Sequence, residues 1–140
     1  MIALVLSLLW RRWGVLFMTV LSVAVADLSA TALKALIDRP RPPFRYAEPK
    51  PLVAVPHDGS FPSGHAATSF AAATMLSFAS PRLAPFLFLL AAAIGFSRVY
   101  VGVHYPLDVV GGAALGVLVA TSLRLLVRAR RRSPGARPED

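Results

Sequence analysis

The feature that most restricts this chain is its division into long apolar runs around one proline-rich stretch. Residues 13–37, 64–80, 83–97 and 106–127 are dominated by Leu, Ala, Val and Phe. None shows the apolar/polar alternation of a half-buried strand. Crossing about 30 Å of hydrocarbon takes roughly 20 apolar residues as helix. The pattern therefore predicts an all-α integral membrane bundle of four transmembrane helices. The composition agrees: 56% of the 140 residues are hydrophobic and 16% are charged, both displaced from the soluble average in the membrane direction. No internal repeat is present.

Residues 38–62 differ in character. They hold seven of the 12 prolines: Pro40, Pro42, Pro43, Pro49, Pro51, Pro56 and Pro62. Proline removes an amide donor and fixes φ, so this stretch reads as a loop, neither helix nor central strand. At the N-terminus, the apolar residues Met1–Leu9 precede Trp10-Arg11-Arg12-Trp13. A signal peptide carries its charge before the apolar stretch, not after it. Nine residues are also too few to span, so the segment reads as an interfacial helix or as the tail of a spanning helix that begins earlier. Residues 1–128 are predicted as one membrane-embedded domain. Residues 129–140 are predicted as a basic, disordered cytoplasmic tail.

The chain has no cysteine, which excludes a disulfide framework, a zinc-thiolate site and a cysteine nucleophile. Its net charge of +8 could suggest nucleic acid. The arginines, however, sit at the ends of apolar runs, where membrane proteins place them, and not in a polar, aromatic-rich stripe. The partners expected are membrane lipids and a phosphorylated substrate, with no nucleic acid. The C-terminal arginine run suits anionic lipid at the cytoplasmic surface.

Four alternating spans put the end of the first, the start of the second, the end of the third and the start of the fourth on one face. The opposite face carries nine of the 15 cations: Arg11, Arg12, Arg82, Arg124, Arg128, Arg130, Arg131, Arg132 and Arg137. The shared face carries the other six, offset by Asp38, Glu48, Asp58 and Asp108. The bias of Lys and Arg toward the cytoplasm then places the shared face outside the cell. Phe44 and Tyr46 would hold the loop on the membrane, with His57 in solvent.

That shared face holds nearly all the unusual polar residues. Lys34 and Arg41 lie at the end of span one. Pro62-Ser63-Gly64-His65 opens span two, Arg98 closes span three, and His104-Tyr-Pro-Leu-Asp108 opens span four. Ionisable groups near membrane depth point to function. A helix N-terminus holds anions; Ser63 suits its cap, and Gly64 admits close approach of a ligand to the backbone. Lys34, Arg41 and Arg98 can neutralise a phosphoryl group. Pro106 suits the first position of span four, so Asp108 can reach back to a ring nitrogen of His104 and support a nucleophilic imidazole. His65 remains to protonate a leaving oxygen. Singly, each group has a plainer reading: a turn and helix cap at residues 62–65, a capping pair or half a metal site at His104/Asp108, interfacial anchors at Lys34, Arg41 and Arg98. Their convergence on one face, in the order an anion site requires, favours the site.

The pattern Lys34-x6-Arg41-Pro42, Pro62-Ser63-Gly64-His65, and Ser97-Arg98-x5-His104-x3-Asp108 resembles the three-part signature of the type 2 phosphatidic acid phosphatase family. Vanadium haloperoxidases and bacterial acid phosphatases share that superfamily. The resemblance spans residues 30–116 and lacks none of the motif residues. It implies hydrolysis of a lipid phosphate or diphosphate, such as undecaprenyl diphosphate, phosphatidic acid or phosphatidylglycerol phosphate. It also implies a phosphohistidine on His104, oriented by Asp108, with His65 as general acid. Lys34, Arg41, Ser63, Gly64 and Arg98 would bind phosphate, and no metal or other cofactor is implied. Membrane members usually have six spans, two of them before the first motif; here one short apolar segment precedes it. An outward site favours the polyprenyl diphosphate. A vanadate-dependent haloperoxidase and a non-enzymatic scaffold or transporter subunit are the alternatives. The four spans argue against the first, whose known representatives are soluble, and the complete motif set argues against the second.

Two further features stand out. Asp27, seven residues before Lys34, shares its helix face. It reads as an interior carboxyl bonded to Ser or Thr of a neighbouring helix, or as support for Lys34. Gly112 and Gly116 have the spacing that lets helices approach closely, within the chain or in a homodimer.

Overall fold

The computed structural model describes residues 13–48 and 50–132. The apolar segment 1–9 and the last eight residues of the expected tail lie outside the described residues. Four long helices carry the fold: α1 (Trp13–Ile37), α2 (Gly64–Ala79), α3 (Ala84–Tyr100) and α4 (Pro106–Arg132). A 3₁₀ turn at Pro81–Leu83 joins α2 to α3. Among the described residues there is no strand.

Three stretches, Trp13–Arg45, Pro81–Tyr100 and Pro106–Arg130, are long and apolar enough to cross a membrane. The fourth helix, α2, has 16 residues, about 24 Å of rise, and falls short of that length. It is the central helix and packs against α1, α3 and α4. Its hydroxyl residues satisfy themselves on the backbone one turn back: Thr74 Oγ1 donates to Phe70 O at 2.7 Å and Ser77 Oγ to Ala73 O at 2.7 Å. This local bonding lets polar side chains sit in an apolar interior at little cost.

The core is built from small residues. Ala26, Ala30, Ala67, Ala71 and Ala120 are at most 1% exposed and surround Met75. Large side chains point outward instead; Phe17, Leu28, Phe86, Leu89 and Phe96 are each more than 60% exposed. Close backbone contact with large apolar residues facing out is the arrangement of helices whose solvent is lipid. Gly112 and Gly116 show why small residues are needed. A Cβ on Gly112 would lie 2.3 Å from Ser63 O, and one on Gly116 2.2 Å from Ala67 O. The glycine stripe thus seats α4 on α2 within one chain.

The element boundaries differ from the sequence reading at three places. Residues 42–45 form a single helical turn within the loop, opened by Pro42 and Pro43; proline is tolerated in a first turn, whose amides lack partners anyway. Helix α3 continues past Ser97 to Tyr100 and so carries Arg98 in its last turn. Helix α4 runs to Arg132, beyond residue 128, where the expected tail begins.

Candidate active site

The end of α1, the start of α2, the end of α3 and the start of α4 meet at one end of the bundle. There they enclose a cavity of about 410 Å³ lined by Lys34, Arg41, Gly64, His65, Arg98 and His104, with Asp27, Thr31, Asp58 and Thr68. Six of the eight residues singled out from sequence line it. Ser63 and Asp108, both 0% exposed, stand directly behind it.

Each position has a local cause. Helix α1 stops at Ile37 because Asp38 turns left-handed (φ 43°), a conformation Asp tolerates better than most residues; its amide closes the helix on Lys34 O at 2.9 Å. The chain then runs extended, so Arg39 and Arg41, two residues apart, can reach inward on the same side. At α2, Ser63 Oγ accepts from Ala66 N at 3.4 Å and Ser63 O from Ala67 N at 3.0 Å. The first-turn amides of Gly64 and His65 remain for a ligand. After α3, Gly102 adopts φ +80°, open to glycine at no steric cost. This turn carries Val103 and His104 back under the cavity.

His104 is 5% exposed. Its Nε2 lies 3.2 Å from Arg41 Nη1. A guanidinium can only donate, so Nε2 is the acceptor and the ring proton sits on Nδ1. That tautomer keeps the Nε2 lone pair on the cavity side. Nδ1 faces Asp108 Oδ2 at 3.4 Å, in register but longer than a closed hydrogen bond.

Asp108 has further partners besides His104. Its Oδ2 accepts from Tyr105 N at 2.9 Å, the amide just before α4. Its Oδ1 accepts from Arg39 Nη1 at 2.7 Å. The plain capping role is realised, and the same carboxylate faces His104. Arg39 also lies over the Tyr105 ring, 4.1 Å from its centre, a cation–π contact that fixes the guanidinium beside Asp108.

Arg39 and Asp58 were missed as site residues. The Arg-Pro-Arg-Pro run was the available signal for Arg39. For Asp58 there was none beyond a charge in the loop. Asp58 bridges two cations of the cavity, with Oδ2 2.5 Å from Lys34 Nζ and Oδ1 2.6 Å from Arg41 Nη2. Burial pushes its carboxyl up, but the hydrogen bonds from Lys34 and Arg41 outweigh it and hold the pKa at about 2. A carboxylate thus occupies two of the donors an incoming anion would need. Arg41 is fixed from the other sides as well: Nε donates to Asp58 O at 3.0 Å and Nη1 to Val103 O at 3.0 Å. Arg98 donates from Nε to Ser97 Oγ at 3.1 Å, leaving its terminal nitrogens for the cavity it lines.

Fold and site together define a helical membrane protein with a cation-lined cavity at one end and a histidine at its floor. The chain belongs to the PAP2 superfamily, whose sequence profile matches residues 4–132. It is 37% identical over 114 residues to an undecaprenyl-diphosphatase of Sulfolobus acidocaldarius, covering 79% of this chain and 55% of that protein. LpxE of Aquifex aeolicus superposes with a TM-score of 0.78 at 32% identity, over 87% of this chain and 74% of that one. A transmembrane PAP2-type phosphatidylglycerolphosphate phosphatase of Bacillus subtilis superposes with a TM-score of 0.66 at 28% identity, over 95% of this chain and 68% of that one. The chain spans about half the length of the curated relatives it matches.

Proposed function

We propose that this protein is a membrane phosphatase that hydrolyses a lipid phosphate or diphosphate through a phosphohistidine on His104. The observation that carries this reading is the placement of His104: its Nε2 lies beside Arg41 at a cavity lined by Lys34, Arg41 and Arg98.

The substrate's terminal phosphate enters the cavity, displaces Asp58, and is held by the cations and the α2 amides. Arg41 Nη1 shifts its donation from Nε2 to a phosphoryl oxygen. Nε2 attacks phosphorus, the P–O bond to the lipid breaks, and His65 gives its proton to the leaving oxygen. The proton on Nδ1 stays there, facing Asp108, which offsets the positive charge of the phosphorylated ring. Water then attacks phosphorus, His65 takes up its proton, the P–N bond breaks, and inorganic phosphate leaves. The cations act mainly on the charge spread over the equatorial oxygens in both steps.

Phosphate release by purified, detergent-solubilised protein tests the reading. His104→Ala should abolish turnover; near-normal activity in that variant would overturn it.

The site faces out of the cytoplasm in this reading, supported by the nine cations that the order of spans in the sequence assigns to the opposite face and the positive-inside bias. Lys50 is exposed in the loop beside the site, and the native chain has no cysteine. Lys50→Cys should react with a membrane-impermeant thiol reagent in intact cells. Reaction only after lysis would reverse the orientation.

A further inference from the structure

Asp27 has no place in the mechanism above, yet it lies where two cavities meet. One is the phosphate cavity. The other is an apolar groove of about 850 Å³ between α1, α2 and α3, lined by Val20, Val23, Leu76, Leu87, Leu90 and Ile94 among others. Among the described residues, only Asp27 and Thr68 line both. The neighbouring-helix hydroxyl expected to bind Asp27 is directed elsewhere: Thr68 Oγ1 donates to Gly64 O at 3.0 Å. Asp27 Oδ1 stands 3.8 Å from where a Cβ on Gly64 would be, directly beside the phosphate-binding start of α2.

Charge is distributed unevenly along this path. Lys34 and Arg98 occupy the last turns of their helices, at the outer end. Asp27 lies about 10 Å deeper on α1 by helical rise. Thr31 comes between Asp27 and Lys34 on the same face. The described lining of the groove contains no cation. A substrate whose phosphate sits among the cations and whose chain lies in the groove must thread its linker past Asp27. A hydroxyl on that linker can donate to the carboxylate. A second phosphate there meets a like charge with no cation on the described groove side to offset it.

We propose that Asp27 is a specificity-determining residue that reads the group joining the phosphate to the lipid chain, favouring a phosphomonoester with a hydroxyl-bearing linker over a lipid diphosphate. This rests on the phosphatase reading and turns its substrate preference away from the diphosphate that sidedness alone favours.

The test compares the whole protein with Asp27→Asn, which keeps the shape and removes the charge. Three probes are used in detergent micelles: lysophosphatidic acid, with a free hydroxyl next to the phosphate; farnesyl monophosphate, with none; and farnesyl diphosphate. Relative to farnesyl monophosphate, Asp27→Asn should raise kcat/KM for the diphosphate about tenfold and lower it for lysophosphatidic acid about tenfold, the scale of a hydrogen bond to a charged group. Asp27→Ser provides the same comparison if the Asn variant does not fold. Ratios that stay constant, with all three substrates changing in step or not at all, would overturn the proposal. If the wild-type protein releases phosphate from none of the three, it is the phosphatase reading that fails, and this inference with it.

Discussion

Asp58→Asn gives the sharpest test of how the site handles anions. In the structure its carboxylate holds Lys34 and Arg41 at 2.5 and 2.6 Å, so any phosphoryl group using those cations must first displace it. The Asp58 side chain is 49% exposed, which limits each pair to about 0.2–1 kcal/mol. Two pairs sharing one carboxylate therefore oppose anion binding by about 0.4–2 kcal/mol, or roughly 2- to 30-fold in an equilibrium constant. Arg41 should keep its position in the variant, because its bonds to Asp58 O and Val103 O are to backbone. The Ki for orthovanadate and for inorganic phosphate should then fall roughly 2- to 30-fold, and KM should fall with them. The assay is phosphate release in detergent at fixed ionic strength, since salt screens exposed pairs. The folded pKa of about 2 lies below the usual 3.8, so the contact is complete above pH 4 and is lost only as pH falls through about 2. The wild-type-to-variant ratio should therefore stay level from pH 5 to 8. A Ki that is unchanged would refute the competition. A Ki that rises would mean that Asp58 positions the two cations for the ligand instead of competing with it.

Four other outcomes follow from the same geometry. His65→Ala should slow turnover by roughly 10²–10⁴, the range for a general acid, and phosphate release measures it. Arg39→Ala leaves the fully buried Asp108 without its closest donor; it should destabilise the fold by about 2–3 kcal/mol, less than the 3–5 of a fully buried pair because Arg39 is partly exposed, and lower kcat, seen in thermal unfolding and in rate. Gly116→Ala should cost about 1–3 kcal/mol by overpacking, because its Cβ would stand 2.2 Å from Ala67 O; an unchanged melting temperature would contradict the seating of α4 on α2. Turnover should survive a chelator and be inhibited by vanadate, whereas activity lost in chelator and restored by a divalent cation would favour a metal held by His104 and Asp108.

The convergence of Lys34, Arg41, His65, Arg98 and His104 was legible from sequence because it needs little tertiary information. Consecutive membrane helices alternate direction, so residues at the appropriate ends must share a face. Ser63 as a cap and Gly112 and Gly116 as contact points were legible for the same kind of reason, since capping and close approach are properties of residue type and local spacing. The helical turn at residues 42–45 and the run of α4 to Arg132 were not, because proline tolerates a first turn as well as a loop and arginine favours helix as well as a solvated tail.

The partners of the charged groups were decided only by the folded loop. Arg39 finds Asp108 across 69 positions and Asp58 finds Lys34 across 24. Nothing in the local chemistry of a proline-rich stretch selects those partners. Asp27 divides the same way. Helical periodicity assigned it to the face of Lys34. That this face opens onto an apolar groove depends on α1 and α3 both packing on α2 with a gap left between them, and small core residues set how closely α1 sits on α2.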